Sequence, residues 1–499
     1  MHELIPYINV QLTGILNDVH YFMPEIYLSA LFIVVLVTDL LFGRNSEKLC
    51  RIIACAGMAI VVLMDWKLLL ETKDQVNFLF EGMLLQNHTS LVFRLIIDKI
   101  AFLLLLYFAW DEQLRSHPKR LADLYAITIA SVLGMHLMTM AANLLSVYLS
   151  IEMVSIASYL MVAYRSENAF STEAGLKYVL FGATSSAIML YGISLLYGFG
   201  GTLSLFQDGF VPALIQVNPV GVSFALILVL IGIGFKLSFV PIHFWVPDVY
   251  EGAPTPVTAF LSTLPKIAAF ALLVNFLTPF ISSPQWKAFD FRLYLSIIGI
   301  ITMIAGNFAA VLQQNVKRML AYSSIGHTGF ALIAIVTFTA QGITALTFYL
   351  AVYATANICA LMLVTYFTRI TGSEDVNSYK GLGLKYPAAS VCFIIVLISL
   401  TGLPVTAGFT GKLLVFSAVY SVYQANHDVW LLMLTITGAI TTVVSLFYYI
   451  TIPLNLFLKR TEIIGDTIRG SKYIVVFAIM LSIVLLIIGI FPDSFLAFL

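Results

Sequence analysis

Charge is what this chain has least of. Asp, Glu, Lys and Arg together make up 10% of its 499 residues, while 60% are hydrophobic; an ordinary soluble domain carries roughly 25% charged residues. Apolar runs of about 20 residues, each long enough to cross a hydrocarbon layer of about 30 Å, recur from residue 22 to the C-terminus. The expected class is an all-α polytopic membrane protein with no soluble catalytic domain left over. The four cysteines (Cys50, Cys55, Cys359, Cys392) have no Cys-x-x-Cys or Cys/His spacing, which argues against an iron–sulfur cluster, a zinc site or a disulfide framework. Phosphate-binding glycine loops of both common kinds are missing as well, so neither ATP-driven pumping nor dinucleotide binding has support in this chain. The energy source is expected in a partner or an ion gradient, and no nucleic-acid partner is expected. The opening MHELIPYINVQLTGILNDVH has no basic stretch and no small-residue cleavage site, so the first span is expected to insert uncleaved.

The apolar runs, bounded by charge, proline or asparagine clusters, fall near 22–42, 50–70, 92–110, 121–140, 143–164, 174–199, 221–246, 255–278, 293–313, 317–339, 342–367, 388–424, 429–457 and 472–495. This predicts fourteen transmembrane helices. Alternate loops hold sixteen lysines and arginines, from Arg44 to Lys472, whereas the opposite loops hold only Lys73, Lys287 and Arg292, with Lys67 and Arg94 near the boundary. The positive-inside rule then places both termini outside.

With loop charges set aside, Lys99, Lys177, Lys236, Lys266 and Lys412 remain within spans, and the clearest buried acid is Glu152. Asp39 and Asp98 lie nearer span ends, where a side chain reaches the interface, and Lys99 beside Asp98 reads the same way. A lone ammonium at bilayer depth costs about 2.5–3.5 kcal/mol on insertion scales, so the deeper lysines imply a shared polar interior. Two spans look broken: the seventh, with Lys236 before Pro241 in GFKLSFVPIHFW, and the twelfth, with Pro404 and Gly408 before Lys412 in LTGLPVTAGFTGK. Backbone freed by proline at this depth is tolerated only where protein or water satisfies it. Breaks at corresponding places in two halves mark inverted repeats. The expected organisation is a three-helix segment (1–120), two five-helix repeats (121–278 and 291–457) and a C-terminal helix (472–499).

A buried lysine can be moved across the working pH by changing its partner, which makes it a proton carrier with a switch. Glu152 is the natural partner for Lys236, and Lys266 and Lys412 would continue the path. Each also has a plainer reading as a structural ion pair. Lys177 follows Glu173 by one helical turn and can simply pair with it near the inner surface. His327 can relay protons or serve as a hydrogen-bonded core histidine; His243, Trp245 and the many tyrosines read first as packing and interfacial belt.

Four stretches go further: KLSFVPIHFWVPDVYEGAPTPVTAFLSTLPKIAAF (236–270), LISLTGLPVTAGFTGKLLVF (397–416), YLSIEMVSIASYLMVAY (148–164) and VKRMLAYSSIGHTGF (316–330). They closely resemble the antiporter-like membrane subunits of respiratory complex I, the proton-pumping NADH:quinone oxidoreductase, and DVYEGAPTPV (248–257) resembles the N subunit among them. The resemblance runs from about residue 90 to 460. It implies that Glu152, Lys236, Lys266 and Lys412 line a proton path across the membrane centre, with Lys177 and His327 along the same axis. It also implies M-like and K-like neighbours with an L-like subunit beyond, a bacterial inner membrane, and NADH, flavin mononucleotide, iron–sulfur clusters and quinone held by other subunits rather than by this chain. The rival classes are the large subunit of a multisubunit cation/proton antiporter and a non-pumping scaffold.

Overall fold

The computed structural model describes residues 4–43, 46–72, 75–117, 120–459 and 470–498, with side chains from residue 12 onward. Arg44, Lys73, Lys119, Arg460 and Arg469 of the loop-charge comparison lie outside the described residues. All fourteen expected spans are helical. They are α2 (Met23–Phe42), α3 (Ser46–Glu71), α4 (His88–Phe108), α5 (Ala122–Met140), α6 (Leu144–Val162), α7 (Ala169–Gly200), the pair α8 (Pro219–Leu237) and α9 (Trp245–Gly252), α10 (Thr255–Ile281), α11 (Phe291–Val311), α12 (Val316–Ile335), α13 (Ala340–Thr371), the pair α14 (Pro387–Thr401) and α15 (Ala407–Asn426), α16 (Val429–Tyr449) and α17 (Lys472–Ile490). Among the described residues eleven helices are individually long and apolar enough to cross a membrane. Of the others, α4 carries three charges in its 21 residues, α12 begins with Lys317 and Arg318, and α14 and α15 share one crossing. Two elements go beyond the sequence reading: a helix α1 (Leu4–Tyr21) ahead of α2, and a hairpin of β1 (Asn77–Leu79) and β2 (Leu84–Gln86).

The helices from α5 to α10 and from α11 to α16 pack in the same pattern. In the first set α5 touches α6 and α10, α7 touches α6 and both halves of the broken span, and α10 touches α6, α8 and α9. Substituting α11 for α5, α12 for α6, α13 for α7, α14 and α15 for α8 and α9, and α16 for α10 reproduces every one of these contacts. Five crossings are an odd number, so the second set runs opposite to the first. The most apolar window of α10 is wholly buried and that of α13 is 94% buried, whereas those of α2, α16 and α17 are only 28% buried. Helices apolar all round but enclosed are core helices, so α10 and α13, which pack on each other, form the centre.

One close approach fixes the α11–α12 pair: a Cβ on Gly306 would collide with the backbone of Gly326 and come within 2.9 Å of the Tyr322 carbonyl. At one end the two sets are joined through charge. Arg318 of α12 reaches Asp248 and Glu251 of α9, both at 2.8 Å, and Asp248 also binds Lys177 of α7 at 2.7 Å. Nearby, Lys317 pairs with Glu374 at 3.1 Å, Arg369 with Glu112 at 2.9 Å and His117 with Glu167 at 2.8 Å. These residues all belong to loops, or to helix ends beside loops, that the charge comparison puts on one face. The His117 hydrogen bond holds the exposed Glu167 carboxyl below the usual carboxylate range.

The N-terminal helices are pinned differently, and this corrects the sequence reading. Asp98 is not interfacial: together with Glu25, Asp65, Arg94 and His136 it is fully buried. Arg94, read as a boundary residue, binds Asp65 through both carboxylate oxygens and Glu25 at 3.0 Å. Lys99 does lie outside, 5.2 Å from the Trp66 ring. Asp39 accepts from Ser46 at the α2–α3 turn.

Two outcomes test this packing. Gly306→Leu is expected to cost about 3 kcal/mol by overpacking and to abolish recovery of folded chain from detergent-solubilised membranes. Gly198→Leu, whose Cβ would meet nothing within 4 Å, is expected to be recovered normally. Because Arg318 and its partners are each about a third exposed, Arg318→Ala is expected to cost only about 1 kcal/mol, read as a small drop in the thermal melting point of the purified protein.

Candidate functional site, a row of buried cations at two broken helices

Both interruptions occur as the sequence predicts. Helix α8 ends at Leu237 with Ser238 in the left-handed region (φ 65°), and the chain resumes helix at Trp245 after a turn containing cis Pro241. Helix α14 ends at Thr401, Gly402 takes φ 84°, Pro404 follows, and α15 starts at Ala407. Glycine is required at 402 twice over: its φ is left-handed, and a Cβ there would lie 2.7 Å from Lys412 Cδ.

Each interruption leaves the carbonyl end of a helix inside the protein, where the helix dipole and the orphan carbonyls favour a cation. The two lysines reach such ends by different routes. Lys236 sits in the last turn of α8 itself. Lys412 lies beyond the break, in α15, and its ammonium donates back to the carbonyl of Thr401, the last residue of α14, at 2.8 Å, and to Thr442 Oγ1 of α16 at 3.3 Å. Between them, Lys266 of α10 donates to Ser324 Oγ (2.7 Å), Thr328 Oγ1 (3.1 Å) and the Ser324 carbonyl (3.2 Å) of α12. All three lysines are at most 6% exposed.

His327 continues the same helix face, one turn beyond Ser323 and Ser324. Its Nδ1 lies 2.6 Å from Tyr349 Oη and its Nε2 lies 3.2 Å from Tyr449 Oη, and Tyr449 shares a short hydrogen bond with Ser323. Two small cavities flank it, and Lys412 and Tyr349 line both. Lys266, His327 and Lys412 are thus brought together through a few hydroxyl side chains. A hydroxyl both donates and accepts, so Ser324, Thr328 and Thr442 can serve an ammonium or a neutral amine by rotating, and the two tyrosines can serve either tautomer of His327. The sequence reading missed these hydroxyl partners. Their signal was the polar run YSSIGHT within an otherwise apolar span.

Glu152 and Lys236 do not form the expected closed pair. Glu152 is only partly buried and binds Ser186 of α7 through a short hydrogen bond, so the buried acids Glu25, Asp65 and Asp98 displace it as the clearest in the chain. The Lys236 ammonium has no hydrogen-bond partner among the described residues. It faces aromatic rings instead, 5.6 Å from the centroid of Tyr178 and 5.8 Å from that of Tyr159, within cation–π range. Tyr178 is held in place by stacking on Trp245 at 4.6 Å. Lys177 stands apart from the row. It is 37% exposed and bound by two acceptor-only carboxylates, Glu173 and Asp248, both at 2.7 Å. His243 is partly buried within the first break.

The family described as NADH:quinone oxidoreductase/Mrp antiporter, transmembrane, matches residues 141–444, which include Glu152, Lys236, Lys266, His327 and Lys412. The chain is 38% identical over 472 residues to NADH-quinone oxidoreductase subunit N 2 of Chloroherpeton thalassium, covering 93% of this chain and 91% of that one. Among solved structures, a chain of respiratory complex I from Thermus thermophilus superposes with a TM-score of 0.77 at 28% identity, covering 95% of this chain and 98% of that one. A chain of the Mrp complex from Dietzia sp. gives the same TM-score at 18% identity, covering 95% of each, and so shares the fold. With its two broken helices, its buried lysines and this degree of identity over nearly its whole length, the chain belongs to the NADH:quinone oxidoreductase/Mrp antiporter family of membrane subunits, in the subunit N group.

Proposed function

We propose that the chain is the proton-translocating N subunit in the membrane arm of NADH:quinone oxidoreductase. The observation that carries this reading is the row itself: three enclosed lysines, of which Lys266 and Lys412, like His327, are held by hydroxyls that both donate and accept. A lysine locked to a carboxylate is a fixed charge. Lys266 and Lys412, held by hydroxyls and a carbonyl, can gain or lose a proton without leaving a neighbour unsatisfied, and Ser323, Tyr449 and His327 form a further hydrogen-bonded group on the same face of α12. Lys236, resting on aromatic faces, awaits a hydrogen-bonding partner, and a swing of Glu152 away from Ser186 would supply it. Electron transfer elsewhere in the complex would drive that swing. Lys177 acts in this scheme as part of the inner latch, fixing α7 to α9, rather than as a carrier.

In this reading NADH, flavin, iron–sulfur clusters and quinone belong to other subunits, and the neighbours in the arm are M-like and K-like, with an L-like subunit beyond. The chain lies in a bacterial inner membrane with both termini on the periplasmic side. Its parts are the N-terminal segment (1–120), two inverted five-helix repeats (121–278 and 291–457) and the closing helix (472–499). A multisubunit cation/proton antiporter would use the same fold, but the likeness on that side is 18% identity against 38% to a subunit N relative.

Lys236→Ala and Lys412→Ala are each expected to leave the complex assembled and to lower proton pumping coupled to NADH oxidation by about tenfold, measured with a pH-sensitive dye in inverted vesicles. Full pumping in both variants would remove the row from the proton path. Lys412→Arg separates charge from proton transfer, because a guanidinium does not deprotonate in proteins. It is expected to assemble at the wild-type level yet pump as poorly as the alanine variant.

A further inference from the structure

The five-residue cluster of the N-terminal helices lies outside the row, and its charge does not balance. Glu25 of α2, Asp65 of α3, Arg94 and Asp98 of α4 and His136 of α5 are all fully buried. With every carboxyl ionised and the imidazole neutral, three negative charges face one positive charge, leaving a net charge of −2 shut away from water. Among the described residues no further charge bonds to it: Lys99 lies exposed beside Trp66, Lys266 of the neighbouring α10 is used on Ser324 and Thr328, and Asn275 of α10 gives its amide to the Thr139 carbonyl at 2.8 Å. A buried charge without a counter-charge neutralises by taking up a proton.

The geometry says where the protons go. His136 Nδ1 lies 2.9 Å from Glu25 Oε1, and Nε2 lies 2.8 Å from Asp98 Oδ1. A neutral imidazole has one donor and one acceptor nitrogen, so it cannot satisfy two carboxylates at once, whereas an imidazolium can. Asp65 is fully engaged by Arg94 through both oxygens. The remaining oxygens of the other two acids, Glu25 Oε2 and Asp98 Oδ2, are buried and have no hydrogen-bond partner among the described residues. These are the free positions for a second proton.

We infer that this cluster is a second proton-binding site, separate from the lysine row, holding one proton on His136 and one on the Glu25–Asp98 pair. Two protons bring the net charge from −2 to zero. The inference stands whether or not the row conducts. It is tested on the intact, purified complex by infrared difference spectroscopy across a pH titration, in H2O and in D2O, with Glu25→Gln and Asp98→Asn. Each variant is an uncharged mimic of the protonated acid. The expected result is a carboxylic C=O band in the wild type that shifts in D2O, and at least one of the two variants assembling normally without that band. The inference is overturned if both variants retain the band, or if both fail to assemble, since that would mean both carboxylates are needed as charges.

Discussion

The hydrogen bond from the Lys412 ammonium to the carbonyl of Thr401 is the contact around which the row of buried cations is organised. A helix that stops within a membrane exposes carbonyls that nothing in hydrocarbon can satisfy, and a lysine at that depth is equally unwelcome alone. Placed together, each removes the other's penalty. Pro404 and the left-handed Gly402 end α14, the glycine leaves room for the lysine stem, and the ammonium closes the open helix end. In the first set Lys236 is carried by the helix that ends, but its ammonium rests on the Tyr178 and Tyr159 rings instead of closing the carbonyls. The repeat therefore keeps a lysine beside each interruption rather than at one residue position.

This arrangement also explains why the central helices can be polar on one face and still buried. Ser323, Ser324, His327 and Thr328 lie on adjacent turns of α12, all turned toward α10, α13 and α16. Of the least buried helices, α2 and α17 contribute nothing to the row, while α16 contributes only Thr442 and Tyr449 from its inward side. They supply an apolar jacket around the hydroxyls, amines and imidazole of the row.

Much of this was legible in the sequence. Apolar runs of the right length gave all fourteen spans, proline and glycine marked both interruptions, and the depth of Lys236, Lys266 and Lys412 could be read from position alone. What stayed hidden depended on pairing in space. Glu25, Asp65, Arg94, Asp98 and His136 are spread over four helices, each placed where a side chain could plausibly reach an interface, so nothing in one run reveals that they converge. The hydroxyl partners were hidden for another reason: serine and threonine in helices commonly bond their own preceding turn, and only the folded chain separates those that do from those that face a lysine. Helix α1 was missed because its apolar residues are interspersed with polar ones, and the turn of Glu152 toward Ser186 because two neighbours compete for one carboxylate.

The contact between the two sets of helices joins unlike faces. Helix α9 of the first set packs on α12 of the second, and in the second set the counterpart of α9 is α15, while in the first set the counterpart of α12 is α6. Joining of unlike faces leaves one face of each kind free at the two ends, unless the rotation between units closes them into a ring. The unmatched faces are still present and apolar: Leu149, Ile156 and Leu160 on α6, and Leu413 and Tyr420 on α15, are each more than half exposed. A building block that ends in one half of a joint and begins with the other half can be extended by further blocks of the same kind. Such a chain lends itself to standing in a file, each member presenting to the next the face that already holds its own two halves together.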